Sequence, residues 1–173
     1  EKVARGFFDD VNPETAQKIQ KKINGMSWKC KLLNLPCFVP DQKVLAIVDA
    51  QKDFIDGSMG VGMEKWKKAK AAIIDLMKKE KYDSIVYTKD WHPTNHCSFK
   101  DQGGPWPSHC VAGAKGAEID AELLAVNIPS VTLNKGCNPN VEEYGIDVLP
   151  NVDNVKELHL VGLCFDYCVQ SCA

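Results

Sequence analysis

A chain of 173 residues with 45% hydrophobic content can bury one sizeable core, so a single domain with an added segment is the starting expectation. Its 21 basic and 23 acidic residues leave a formal charge of -2, which provides no field to recruit nucleic acid or an anionic membrane surface. A small neutral or weakly charged partner fits this balance better.

Residues 1 to 42 read as an N-terminal extension, with a helix expected near Pro13 to Ile23, where Asn12 is a cap and Pro13 the first helical residue. From residue 43 onward a repeating order begins. Val44 to Val48 is a continuous apolar run that stops at Asp49, as a buried parallel strand stops at a loop. Glu64 to Lys79 places Trp66, Ala69, Ile73, Ile74 and Met77 on one face with lysines opposite, which predicts an amphipathic crossover helix. Ser84 to Tyr87 gives a second strand running on to Asp90, and Ser130 to Leu133 a third running on to Lys135. Glu157 to Leu163 gives a fourth, with a helix expected to start between Cys164 and Cys172. This alternation predicts an α/β fold, a doubly wound and mainly parallel sheet with helices on both faces, whose ligands bind beyond the carboxyl ends of the strands. Asp49, Asp90, Lys135 and Cys168 then converge on one crevice.

The eight cysteines, at positions 30, 37, 97, 110, 137, 164, 168 and 172, sit among His and Asp clusters and apolar runs rather than in a compact secreted framework, and read mostly as reduced thiols. No apolar run approaches the roughly 20 residues of a membrane span, and Glu1 to Arg5 lack the layout of a signal peptide. A reducing, cytoplasmic setting is expected, the nucleus also being open to the chain.

Three of the four histidines, His92, His96 and His109, fall within 18 positions after the second strand, beside Asp90. Imidazole and carboxylate donors suit zinc, iron or manganese, and three protein ligands leave positions open on such an ion. The same spacing also fits a polar loop whose histidines only cap or hydrogen-bond. Cys168 follows an apolar strand and a turn containing Gly162, where a helix start would lower a thiol's pKa and offer backbone N–H groups to an oxyanion. It equally fits a buried structural cysteine, with Cys164, Cys168 and Cys172 lining one helix face. Asp49 and Lys135 are ordinary strand-end residues taken singly. Together with a cysteine they supply a nucleophile, a proton-transferring carboxylate and a cation.

Val48-Asp49-Ala50-Gln51-Lys52-Asp53-Phe54, Asp90-Trp91-His92-Pro93, Trp106-Pro107-Ser108-His109-Cys110-Val111, Asn134-Lys135-Gly136 and Val161 to Val169 occur in the order seen in nicotinamidases. In these five motifs the chain resembles the nicotinamidase (pyrazinamidase) group of the isochorismatase-like cysteine hydrolases, from about Val44 to Ala173. The resemblance implies a catalytic triad of Asp49, Lys135 and Cys168, and one divalent ion, most readily zinc, on Asp90, His92 and His109. His96 is implied as an optional ligand or a neighbour of the ligands. It also implies an oxyanion held by the backbone N–H groups of Cys164 and Cys168, a cis peptide between Leu163 and Cys164, and a pocket walled by Phe54 and Trp106. The implied reaction is hydrolysis of nicotinamide to nicotinate and ammonia, in NAD salvage. Lys52 stands where the family has Asn, a change expected to alter the loop beside Asp49. The chain ends five residues past Cys168, so the hydrolase domain over residues 43 to 173 is expected to be incomplete. Self-association stays open. Two rivals remain, a related amidohydrolase acting on carbamoyl or ureido substrates and a catalytically idle metal-binding domain.

Overall fold

The computed structural model describes residues 41–146 and 154–173, so the helix expected near Pro13 to Ile23 lies outside the described residues. Among the described residues there are four strands, β1 (Gln42–Val48), β2 (Ser84–Asp90), β3 (Ser130–Lys135) and β4 (Val155–Gly162). They form one sheet in the order β3-β2-β1-β4, with every pairing parallel. β2 and β3 reach Asp90 and Lys135, the residues at which the sequence pattern places the strand ends.

Among the described residues four α-helices accompany the sheet, α1 (Lys52–Ile55), α2 (Met63–Lys79), α3 (Ala121–Leu124) and α4 (Gln170–Cys172). Trp66, Ile73 and Met77 of α2 are buried against Leu45, Ile47, Ile85 and Tyr87. Burying such side chains contributes about 1.5–3 kcal/mol each, which offsets the cost of ordering a helix whose opposite face is lysine-rich. The indole Nε1 of Trp66 donates to Asp120 Oδ2 at 2.8 Å, tying α2 to the cap of α3.

Side chains alternate across the sheet, so Val44 and Val48 of β1 face the other way. Val44 packs with Val86 and Val131, and Val48 with Cys168 and Val169. The C-terminal turn Phe165–Val169 and α4 therefore lie over the second face, and the expected doubly wound α/β arrangement is present. Among the described residues no helix is long and apolar enough to cross a membrane.

The connections decide where a ligand can enter. From β1 the chain moves outward through α2 to β2 and then to β3, and afterwards returns to β4 on the opposite side of β1. The order thus reverses between β1 and β4, and a crevice opens at their carboxyl ends.

Candidate active site

Asp49 ends β1 in the left-handed region, at φ 49, and is fully buried. Cys110 and Cys164 take the same unusual conformation, at φ 45 and φ 58, so three backbone turns that disfavour side chains meet around one crevice. Gly162, at φ +144, leaves no room for a β-carbon, which would lie 2.1 Å from Val48 O. That close approach brings the segment after β4 against the end of β1.

Lys135, at the end of β3, is the hub. Its Nζ lies 2.9 Å from Asp49 Oδ2 and 3.4 Å from Cys168 Sγ, and it donates a short hydrogen bond to Asp90 Oδ1. Asp49 Oδ1 accepts from Thr88 Oγ1 at 2.7 Å. Asp49 Oδ2 accepts no hydrogen bond of good geometry, so its contact with the ammonium is ionic. Asp49, Asp90 and Cys168 offer atoms all within 4.8 Å of one another.

Burial alone would discharge Lys135, but Asp49 and Asp90 outweigh it and hold the ammonium well above its ordinary value. Burial raises the Asp49 carboxyl, with Lys135 opposing. The Cys168 thiol departs from the sequence expectation. Burial, followed by the charge of Asp49, pushes it far above its usual range, and Lys135 does not compensate. Cys168 does not open a regular helix: it is the fourth residue of a single wide turn, Phe165–Val169, closed by Val169 N to Cys164 O at 3.4 Å. The resting thiol is therefore neutral. The expected cis peptide before Cys164 is absent too, since among the described residues every peptide is trans. The left-handed turn at Cys164 redirects the chain there instead.

Beyond Asp90 stand the histidines. Asp90 Oδ2 is 3.4 Å from His92 Nε2 and 3.8 Å from His109 Nε2, and the three residues form one cluster of candidate metal donors. The Nδ1 of His92 donates to Gly136 O at 3.0 Å, and the Nδ1 of His109 to Pro107 O at 2.7 Å. Both rings thus turn Nε2 toward Asp90, the outer-shell arrangement that fixes the tautomer of ligating histidines. Burial lowers His109, which keeps its imidazole neutral, whereas Asp90 overcomes burial at His92 and raises it. His96 stacks on His92 with ring centroids 4.0 Å apart, but its Nδ1 faces Ser98 Oγ at 2.8 Å and its Nε2 faces Val141 O at 3.0 Å. Both its nitrogens are occupied by neighbours, which puts it behind the cluster. A second grouping of His92, His96 and Glu142 is close enough to hold an ion only if His96 gives up a bond.

A pocket of about 230 Å³ opens over Cys168, lined by Met59, Trp106, Cys164, Phe165, Asp166 and Tyr167. Trp106 lines it as expected, and its Nε1 donates to Tyr144 OH at 3.1 Å. Phe54 does not. It is buried in the core, its ring 5.5 Å from that of His109, because α1 turns it under the histidine loop. A larger depression of about 330 Å³ on the outer side of α2 is lined by Lys67, Lys70, Lys78 and Glu122 and contains none of these groups. Lys52, which stands where the family has Asn, turns outward to pair with Glu118. Met59 and Tyr144 lie in no quoted motif, and Tyr167 was legible only as a neighbour of Cys168 in the Val161 to Val169 motif. Thr88 and Gln51 were legible only as a strand residue and a motif neighbour.

A model of the isochorismatase domain matches residues 43–173. The nicotinamidase/pyrazinamidase of Mycobacterium tuberculosis is 32% identical over 143 residues, covering 76% of this chain and 76% of the relative. A crystal structure of pyrazinamidase from Pyrococcus horikoshii in complex with zinc is 33% identical with TM-score 0.61, covering 76% of each chain. A crystal structure of PnC1 from L. infantum in complex with nicotinate is 30% identical with TM-score 0.62, covering 79% of this chain and 75% of that one.

Proposed function

Because the chain belongs to the isochorismatase family, we propose that it is a nicotinamidase, releasing ammonia and nicotinate from nicotinamide in a reducing cytoplasm as a step of NAD salvage. The observation that carries this reading is Lys135, in contact at once with Asp49, Asp90 and Cys168, with the imidazoles of His92 and His109 just beyond. One cation thereby joins a thiol and its base to a donor set suited to a divalent ion.

The donor set fits such an ion. Two neutral-capable imidazoles with Nε2 converging on a carboxylate, each anchored through Nδ1 to a carbonyl, suit zinc, with iron or manganese as substitutes. Asp90, His92 and His109 would hold such an ion, which would supply a Lewis acid for a pyridine ring nitrogen and so help to orient the carboxamide. The zinc complex of the pyrazinamidase relative supports this choice of metal.

This chain's residues then perform the bond changes. As Cys168 Sγ attacks the carboxamide carbon, Asp49 Oδ2 takes the thiol proton, the carboxylate and the sulfur lying within 4.8 Å of each other and Oδ2 holding no other hydrogen bond. The backbone N–H groups of Cys164 and Cys168 receive the developing oxyanion. On collapse the carbon–nitrogen bond breaks, Asp49 passes the proton to departing ammonia, and a thioester to Cys168 remains. Asp49 next draws a proton from water, which attacks the thioester, and the thiol is restored as the acid leaves. Lys135 keeps Asp49 competent as a base throughout. The pocket of about 230 Å³, below the roughly 300–1,000 Å³ of drug-sized sites, suits a single-ring substrate against Trp106.

Ammonia release by the purified protein, from nicotinamide and from an N-carbamoyl amine in parallel, with and without chelator, tests this. Chelator-sensitive release from nicotinamide alone is expected. Release from the carbamoyl compound alone would move the protein to the ureido-acting amidohydrolases, and no release from either would leave a binding domain.

A further inference from the structure

Gln51 is fully buried, two residues after the candidate base, and its carboxamide is committed to neighbours on three sides. Its Oε1 accepts from Asp90 N at 2.8 Å, and its Nε2 donates to Asp90 O at 2.8 Å and to Ala117 O at 3.0 Å. A single side chain thus satisfies both backbone polar groups of Asp90.

The topology explains why this is needed. β1 and β2 stay in register from Val44 with Ser84 to Val48 with Thr88, and Asp49 N still donates to Thr88 O at 3.1 Å. At Asp49 the chain turns away in the left-handed conformation, which opens the crevice but withdraws the strand that would have paired with Asp90. The N–H and C=O of Asp90 on that side would be left buried without partners, a costly state. The carboxamide of Gln51 has the donor and acceptor of a peptide unit and takes the place of the missing strand. Its remaining bond, to Ala117 O, reaches the turn Lys115–Ala117, where Gly116 is packed against Asp53. Asp53 Oδ2 in turn accepts from Cys110 N at 2.7 Å, next to His109.

We propose that Gln51 is a positioning residue that replaces a strand at Asp90, and that it sets the affinity for a divalent ion by fixing where the Asp90 carboxylate points. The proposal rests on the reading of Asp90, His92 and His109 as a metal site. Oδ1 of Asp90 is held by Lys135, and Oδ2 faces the two Nε2 atoms, so rotation or retreat of its backbone disturbs both functions together.

The test measures zinc affinity of the full chain by competition with a chromophoric chelator, alongside the thermal midpoint. Gln51→Met, of similar size without hydrogen-bonding groups, is expected to lose tenfold to a hundredfold in zinc affinity. Asp90→Asn is expected to lose affinity too, and the double variant to lose no more than Asp90→Asn alone, because Gln51 acts through Asp90. If Gln51→Met does not fold, Gln51→Glu is read in its place, since it keeps the acceptor for Asp90 N–H and removes the donor to Asp90 O. A lowered midpoint with wild-type zinc affinity, or losses that add in the double variant, overturns the role of Gln51 while the metal reading stands. A wild-type protein that binds no zinc overturns the metal reading itself, and the proposal with it.

Discussion

Gly136 and His92 meet at a distance that admits no side chain on the glycine. A β-carbon there would lie 2.3 Å from His92 Cε1 and 2.5 Å from its Nδ1, and the residue sits at φ +62, where L side chains are strained. The same glycine's carbonyl receives the His92 Nδ1–H, and its N–H donates to Glu143 Oε2 at 2.7 Å. The residue after the Lys135 hub therefore sets the orientation of a candidate ligand. Gly136→Ala must displace the ring, so zinc affinity is expected to fall tenfold or more, with a destabilisation of about 1–2 kcal/mol from the backbone strain. Metal content after dialysis and a thermal melt read the two effects separately. Unchanged zinc content would show that His92 is not a ligand.

Cys168→Ala is expected to abolish turnover of nicotinamide while zinc content and substrate binding persist, because among the described residues Cys168 is the thiol held at the Lys135 ammonium, whereas Cys137 reaches only the Lys135 backbone carbonyl, at 3.9 Å. Retention of more than about a hundredth of the wild-type rate would exclude Cys168 as the nucleophile.

The neutral resting thiol has a reactivity consequence. Since burial and Asp49 raise the thiol, its thiolate is scarce at neutral pH and grows only as the pH is raised. Cys137 is exposed, whereas Cys168 is buried. Limiting iodoacetamide at pH 7 is therefore expected to modify Cys137 before Cys168, as mapped by mass spectrometry of peptides. Preferential labelling of Cys168 would mean a preformed thiolate and a different first step.

Thr88→Val removes the donor at Asp49 Oδ1 and leaves that buried oxygen without a partner. A loss of about 1–3 kcal/mol of stability is expected. Burial already raises Asp49, and the Thr88 hydroxyl opposes it, so its removal raises Asp49 further. The carboxylate is then protonated at higher pH, and the acidic limb of the kcat/KM profile should move upward. A profile that stays in place would separate Asp49 from the base that limits the reaction.

Much of this protein was legible in the order of its residues. Continuous apolar runs at Val44 to Val48 and Ser84 to Tyr87 announce strands buried on both faces, and Trp66, Ile73 and Met77 recur at helical spacing, because burial imposes those periods locally. Residues at strand ends were legible as well, since a parallel sheet gathers its carboxyl ends at one edge, and Asp49, Asp90, Lys135 and Cys168 do meet there. What the tertiary structure alone decided depends on partners far apart in the chain. The protonation of Cys168 reflects burial and Asp49, 119 positions away (168 minus 49), outweighing Lys135. Phe54 looked like a pocket wall but packs beneath His109, because the short α1 determines which way it faces. The work of Gln51 exists only because β1 turns away at Asp49 while β2 continues to Asp90, an offset in register between two strands of equal length that no local pattern encodes.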